Sequence, residues 1–323
     1  MKKIIFLSGK GGTGKTSVMS CLIDFFNNKV MIDCDVDAAN MHLLLNPQNS
    51  EEFEFFAGKT AVIDYNKCST CGKCMEVCRF DSIKLINNNL IKNEVVRASS
   101  FHDKNTKSQD TNNLSSNKQD ACRTFNNLNR YEIKEFICEG CSYCELVCPE
   151  KAISLKDRLA GHYYTSDTKY GTLVHAELDG GVENSGKLVS KIKQVAQEIA
   201  DSKQNEFMLI DGPPGIGCPV IASLNTVDYV VLVTEPALPA QSDMQRLIKL
   251  LEKLKIKYGV VINKYDLNKD YVSSISEEYI LGKIPFIKDF KESISQQKTL
   301  TEFNPKYNNT FKPIFEKIIN ETN

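Results

Sequence analysis

The chain has 323 residues, 41% of them hydrophobic, which is enough to bury a large core and to make two domains. Lysine and arginine total 40 against 41 aspartates and glutamates, so no global basic field points to nucleic acid. The longest apolar runs, such as Val230-Val231-Leu232-Val233, are too short to cross a bilayer, and the N-terminus enters a strand pattern with no secretory signal before it. A cytoplasmic protein is expected, and its twelve cysteines then point to metal ligation before disulfides.

The first element is an apolar strand, Ile4-Ile5-Phe6-Leu7, followed by Ser8-Gly9-Lys10-Gly11-Gly12-Thr13-Gly14-Lys15-Thr16-Ser17. A helical pattern then runs through Val18, Met19, Cys21, Leu22, Phe25 and Phe26. Gly9 to Thr16 fills every fixed position of G-x-x-x-x-G-K-[ST] in the strand–loop–helix setting that motif requires. The glycines let the amides of Gly11, Gly12, Thr13 and Gly14 turn inward around phosphate oxygens, and the helix start through Ser17 adds partial positive charge. Lys15 would reach the β- and γ-phosphates, and the Thr16 hydroxyl would bind Mg²⁺.

Val30 to Asp37 reads as a short buried strand ending in three alternating carboxylates, Asp33, Asp35 and Asp37. Ligands sit at strand C-termini in doubly wound sheets, where acids hold the Mg²⁺ shell or orient an attacking water.

From Ala61 the texture changes. Cys68-x-x-Cys71-x-x-Cys74-x-x-x-Cys78 is repeated as Cys138-x-x-Cys141-x-x-Cys144-x-x-x-Cys148-Pro149. Three thiolates within seven residues wrap three corners of one cubane, and the fourth reaches a second cluster. The expectation is one [4Fe–4S] cluster on Cys68, Cys71, Cys74 and Cys148, and another on Cys138, Cys141, Cys144 and Cys78. Zinc is the alternative, but its ribbons pair two C-x-x-C knuckles and do not pack three cysteines together. The segment resembles bacterial two-cluster ferredoxins, including strands at Ile83 and Ile153. Arg79 stands where proline is usual, and related ATPases with inserted ferredoxins often read Cys-Arg-Phe, as this chain does. Between the motifs, near 97–130, lies a low-complexity stretch rich in Asn, Ser, Lys and Gln, which holds an unassigned Cys122.

Helical periodicity returns over Leu188–Ile199, with Asn184 and Ser185 as candidate caps. Met208-Leu209-Ile210-Asp211 then leads into Gly212-Pro213-Pro214-Gly215-Ile216-Gly217. Asp211 fits the second acid of a phosphate-loop enzyme, holding Mg²⁺ through water, and Cys218 is expected to be buried as a small apolar residue. Strands at 228–234, 258–263 and 279–285 alternate with helices near 239–255 and 269–279, which implies a parallel sheet covered on both faces. The last helix, Phe311 to Ile319, carries balanced charges and reads as packed on the domain, not on a membrane.

The extra lysine in Lys10-Gly11-Gly12-Thr13-Gly14-Lys15-Thr16 makes the loop resemble the deviant phosphate loop of the MinD/ParA/Mrp superfamily. That resemblance implies that Lys10 reaches the nucleotide of a dimer partner and that Asp35 positions the attacking water in a first switch, Asp33 to Asn40. It also implies that the Gly215 region senses the γ-phosphate. Asn263-Lys264-Tyr265-Asp266 matches the guanine-reading N-K-x-D. In several of these ATPases the Asn of that motif reads adenine, so Lys10 favours ATP over GTP and places Asn263 among the ATP-binding residues. Lys10, Lys15, Asp35 and Asp211 are the expected catalytic residues.

The fold expected is α/β: a doubly wound, mostly parallel sheet of MinD-like P-loop type over 1–60 and 160–323. A small α+β ferredoxin-like domain is inserted at 61–159. The cofactors would be ATP, Mg²⁺ and two [4Fe–4S] clusters. The partners would be a second copy on ATP binding and a redox or metal-cluster protein, with neither nucleic acid nor membrane. The leading expectation is an ATPase coupling dimerisation to electron transfer or cluster handling. The alternative is a MinD/ParA-like positioning or regulatory ATPase with the ferredoxin as redox sensor.

Overall fold

The computed structural model describes residues 1–86, 130–182, 184–268 and 275–323. Within them the chain divides into two compact units, Met1–Ala57 with Leu159–Asn323, and Gly58–Arg158. The expected low-complexity stretch at 97–130 and Cys122 lie outside the described residues, apart from Arg130.

The first unit begins with β1 (Lys2–Leu7), α1 (Lys15–Leu22), β2 (Lys29–Asp33), α2 (Met41–Leu45) and the start of β3 (Gln48–Ile63). The second unit holds α3 (Lys73–Val77), β4 (Ile83–Ile86), β5 (Arg130–Ile133), α4 (Tyr143–Val147) and the start of β6 (Ile153–Thr168). The chain then completes the first unit with β7 (Gly171–Leu178), α5 (Ser185–Lys203), β8 (Phe207–Asp211), α6 (Cys218–Leu224) and β9 (Tyr229–Thr234). After these come α7 (Leu238–Leu254), β10 (Lys257–Asn263), β11 (Ile280–Ile284), α8 (Asp289–Ser295), α9 (Leu300–Phe303) and α10 (Asn308–Thr322).

The main sheet has the order β11-β10-β9-β1-β8-β2-β7-β6-β3. Pairing from β11 across to β7 is parallel, and β6 meets β7 antiparallel. Alternation along β1 explains why both faces are covered. Ile5 and Leu7 enter one core with Leu188, Val189 and Ile192 of α5 and Leu247 of α7. Ile4 and Phe6 enter the other with Val18 and Leu22 of α1 and Phe311, Ile314 and Ile318 of α10. Strands buried on both faces read as continuous apolar runs, which is what Tyr229–Thr234 shows.

Three elements depart from the sequence reading. Asn184 precedes α5 but makes no side-chain cap, its backbone being left-handed at φ 106°. Of the helix expected near 269–279, residues 269–274 lie outside the described set, and Glu277–Tyr279 is a single 3-10 turn before β11. The long strand β3 carries mostly exposed residues, so hydrophobic periodicity gave no sign of it, and β6 runs from the expected strand at Ile153 on to Thr168.

In the second unit β4 and β5 form an antiparallel hairpin, with Ile83 opposite Ile133 and Ile86 opposite Arg130. Its core is small: Ala61, Ile83, Tyr131 and Ile153 with Cys74, Cys138 and Cys144.

In the first unit His175 of β7 lies opposite Tyr164 of β6 and stacks on it at 4.9 Å, and His42 of α2 also stacks on His175, at 5.1 Å. Burial, and then the adjacent His42, hold His175 down to about 4 from the ordinary 6.5. As pH falls through 6.5 the unfolded chain takes up this proton and the folded chain does not, so stability is lost between about pH 6.5 and 4. The loss is on the order of 2–3 kcal/mol. His175→Phe keeps a stacking ring and should flatten that acid limb, as read from urea midpoints at pH 7 and pH 4.5.

Candidate functional site

The loop between β1 and α1 is shaped by two close approaches. A Cβ on Gly9 would lie 2.4 Å from the Cβ of Asp243 in α7, so only glycine lets the loop leave the sheet there. Gly14, at φ 87°, turns the chain into α1, and a Cβ on it would meet the Asn263 side chain. Gly11 and Gly12 face open space, with no atom within 4 Å of a Cβ built on either. The Thr13 hydroxyl is buried with no hydrogen-bond partner among the described residues. A glycine-lined hollow with an unpartnered hydroxyl beside it fits a phosphate chain.

Below that hollow the charged groups converge. Lys15 is buried, and its ammonium donates to Oδ1 of Asp211 at the end of β8. The Thr16 hydroxyl donates to the other oxygen, Oδ2, at 2.5 Å. Asp33 ends the adjacent strand in register with Asp211. Its carboxylate accepts from the amides of Asp35 at 3.1 Å, Asn40 at 3.1 Å and Met41 at 3.0 Å, which fixes the turn into α2. Burial, followed by the Asp211 carboxylate, pushes Asp33 up to about 7 against the pull of Lys15. Asp35 is half-buried and raised by that burial, with Lys15 opposing. Lys15, Thr16, Asp33, Asp35 and Asp211 are therefore brought together, whereas Asp37 is exposed. Among the described residues Asp33, Asp35 and Asp211 do not by themselves form a three-carboxylate metal site, so a Mg²⁺ held here would draw on Thr16, phosphate oxygens and water.

The remaining expected residues take more specific places. Lys10 pairs with Glu235 at 3.0 Å, and the other oxygen of Glu235 takes Lys264 at 2.9 Å. The Asn263 amide donates to the Thr13 carbonyl at 2.8 Å, and its own oxygen accepts from the Lys264 amide at 3.0 Å. Asp266 accepts from the Phe286 amide at 2.7 Å. The Gly215 amide, expected to face the γ-phosphate, donates to the Ser8 carbonyl at 3.0 Å and ties the loop after β8 to the phosphate loop. Ser17 is half-buried at the start of α1. Glu235 was not singled out from the sequence: it is 225 residues from Lys10, and nothing local marks it.

The cysteines fall into two groups. Cys68, Cys71, Cys74 and Cys148 line one cavity with Tyr131, Ala152 and Ile153. Burial, with Cys68 and Cys71 nearby, raises the Cys74 thiol. In the second motif burial, then the adjacent Cys138 and Cys141, push Cys144 up to about 11. Against the upward pull of burial, hydrogen bonds from the Ser82 hydroxyl and nearby backbone bring Cys78 below the ordinary thiol value. Cys78 also packs on the small core that contains Cys138 and Cys144. Backbone amides already point at sulfur: Ala61 donates to Cys138 at 3.5 Å and Ala152 to Cys148 at 3.3 Å. Among the described residues no three such groups are close enough to hold a single metal ion. Cys21 and Cys34 are buried in the first unit, and burial raises both thiols. The expectation of a buried Cys218 is overturned: it opens α6 just after Gly217, and its side chain is exposed.

A glycine-rich strand–loop–helix, with an invading lysine and strand-end carboxylates on a parallel sheet, defines a P-loop nucleotide-binding protein. Residues 4–300 match the CobQ/CobB/MinD/ParA nucleotide binding domain family, CbiA, and the chain belongs to it. It is 30% identical over 320 residues to an uncharacterized protein of Methanocaldococcus jannaschii, MJ0578, covering 98% of this chain and 96% of the relative. A second from the same organism, MJ0579, is 26% identical over 94% of this chain and 93% of its own length. Among solved structures, the cell division ATPase MinD of Pyrococcus furiosus aligns with TM-score 0.52 at 16% identity, covering 99% of both chains. The septum site-determining protein MinD of Pyrococcus horikoshii, complexed with Mg-ADP, aligns with TM-score 0.51 at 14% identity over 98% of this chain and 95% of that one. At those identities the likeness establishes a MinD-like fold.

The role of Asn263 separates by experiment. Its bond to Thr13 supports the phosphate loop whatever the base, so Asn263→Ala should weaken MgATP and MgGTP alike. A lost buried hydrogen bond costs about 1–2 kcal/mol, or roughly 5- to 30-fold in affinity. Calorimetric titration with both nucleotides checks this; a loss confined to ATP would instead mean that Asn263 reads adenine.

Proposed function

We propose that the protein is an ATP-hydrolysing regulatory switch of MinD/ParA type, whose cysteine-rich unit holds two [4Fe–4S] clusters and reports redox state. The observation that carries the nucleotide half is that one carboxylate, Asp211, holds both Lys15 and Thr16. Arrival of a triphosphate gives Lys15 a better partner in the β- and γ-oxygens, and frees Asp211. Thr16, and Asp211 through water, would hold Mg²⁺, which supplies charge neutralisation on the phosphates. Asp35 is placed to orient a water for attack on the γ-phosphorus, with ADP as leaving group. In the proposed dimer Lys10 leaves Glu235 and reaches the partner's nucleotide.

For the second unit, the donor set supports cubanes better than a single ion. Four thiols line one cavity, amides already face two sulfurs, and three of the seven core residues among the described ones are cysteines. Cys68, Cys71, Cys74 and Cys148 would hold one cluster, and Cys138, Cys141, Cys144 and Cys78 the other. Their chemistry is one-electron redox exchange. The exposure of Cys71 and Cys141 also leaves room for a second reading, ATP-gated electron transfer or cluster handling.

The experiment has two arms. Protein purified without oxygen should carry close to eight irons and eight acid-labile sulfides, about four of each per quartet; stoichiometric zinc without sulfide overturns the cluster reading. Lys15→Ala should abolish ATP binding. Lys10→Ala should bind ATP but fail to dimerise and turn over, and Asp35→Ala should dimerise without hydrolysis. A sensor requires that ATP affinity differ between oxidised and dithionite-reduced protein by roughly 5- to 150-fold, with the reciprocal effect of ATP on cluster potential. Equal affinities would make the clusters passengers of the ATPase.

A further inference from the structure

The two cysteine motifs are repeats offset by seventy residues, so each position in one copy has a counterpart in the other. Lys67 and Lys73 of the first copy are replaced by Ile137 and Tyr143 in the second, and Asn66 and Glu76 by Phe136 and Leu146. All four apolar replacements are exposed: Phe136 by 75%, Leu146 by 78%, Tyr143 by 50% and Ile137 by 43%. Tyr143 and Leu146 are three apart on α4 and so share a face, and Phe136 and Ile137 immediately precede Cys138. Side chains of this size left in water flank the exposed Cys141. They do nothing for the core beneath them, which is made by other residues.

Charge differs between the copies as well. The first exposes Lys67, Lys73 and Arg79. The second exposes Glu135, Glu139 and Glu150 where the first has Tyr65, Ser69 and Phe80, and Met75 is replaced by half-buried Glu145. The first copy has apolar surface of its own in Tyr65, Met75 and Phe80, but Arg130 lies over the Tyr65 ring at 5.7 Å and the Tyr65 hydroxyl bonds Tyr131. The first copy is balanced, with Asp64, Glu76 and Asp81 against its three cations, whereas the second sets Glu135, Glu139, Glu145 and Glu150 against Lys134 and Lys151, so the second copy is the apolar face with an acidic excess.

We propose that the face of the second copy, Phe136, Ile137, Tyr143 and Leu146 within its glutamates, docks a one-electron carrier protein whose own contact face is apolar and ringed by lysine or arginine. This rests on reading the second unit as a redox module. An apolar centre with a complementary charged rim is the anatomy of a specific, short-lived protein contact. The acidic surround selects a basic partner and disfavours an acidic one. A second copy of this chain is the competing occupant, through the exposed Lys67, Lys73 and Arg79 of its first cysteine motif.

The test uses the full chain, purified anaerobically, and ferricytochrome c as a basic one-electron probe with an exposed apolar haem edge. Binding is read by calorimetry, which needs no cluster, and electron transfer by haem absorbance after dithionite reduction and desalting. Each reduced cluster gives up one electron and each ferric haem takes one. The expected result is binding that weakens with salt and falls roughly tenfold or more in Phe136→Ser/Leu146→Ser. The transfer rate should fall in parallel at unchanged cluster absorbance. Lys67→Ser/Lys73→Ser should leave both unchanged. Glu139→Lys/Glu150→Lys, which alters only exposed positions, should weaken binding even if the apolar variant misfolds. Binding unaffected by the second-copy variants, or lost equally in the first-copy variant, overturns the proposal. So does self-association, seen by sedimentation, that the Phe136→Ser/Leu146→Ser change abolishes. Wild-type protein that binds the probe but carries no iron or sulfide sinks the redox reading and leaves the docking face standing.

Discussion

The nucleotide site depends on the carboxylate of Asp211. It is buried at the end of β8, where it accepts from both the Lys15 ammonium and the Thr16 hydroxyl. A buried ion pair of this kind is weak evidence for stability, because desolvating both charges offsets most of their attraction. Its effect is positional. Lys15 and Thr16 wait at the start of α1 on a partner that a phosphate chain and its cation can displace. Asp33 shows the accompanying electrostatic strain: burial, and then Asp211 beside it in register, push it up to about 7. A cation entering between the two strand ends would relieve what the folded chain otherwise leaves unfavourable.

What the sequence disclosed was local in the chain or periodic. The phosphate loop, the acids closing β2 and β8, and the strands buried on both faces could be read because their signals lie within a few residues of one another. What it did not disclose was long-range. Glu235 is tied to Lys10 and Lys264 only by the adjacency of β1, β9 and β10 in the sheet. Asn263 could be named as a site residue from N-K-x-D, but its bond to the Thr13 carbonyl follows from folding, not from the motif. The strand β3 escaped notice because an edge strand with mostly exposed side chains carries little hydrophobic pattern, and β6 was anticipated only at its start, Ile153. Cys218 was misread for a related reason: its position at a helix start after a glycine loop decides its exposure, and residue type alone does not.

The second unit is limited by size. Among the described residues its hairpin of four-residue strands and two helices of five residues bury few aliphatic side chains, and three of the seven core residues are cysteines. The two [4Fe–4S] clusters proposed above would add cohesion there by linking cysteines from both ends of the segment. The two connections to the first unit are made inside strands, at Ala57–Gly58 and Arg158–Leu159, not through loops.

The pairing of Lys10 with Glu235 then raises the question of whether a lysine so held can serve another molecule. Magnitudes decide it. The Lys10 side chain is 35% exposed and Glu235 18%, and Glu235 also has Lys264. Ion pairs with this much solvent access contribute about 0–1 kcal/mol. Giving one up is a small cost beside the charge-assisted bonds a lysine makes to a triphosphate, at about 1.5–3 kcal/mol each. Lys264 would keep Glu235 paired after Lys10 departs, so no buried carboxylate is stranded. The contact is strong enough to set a resting direction for the side chain and too weak to hold it against a second nucleotide. That is the energetic condition a shared site between two copies requires.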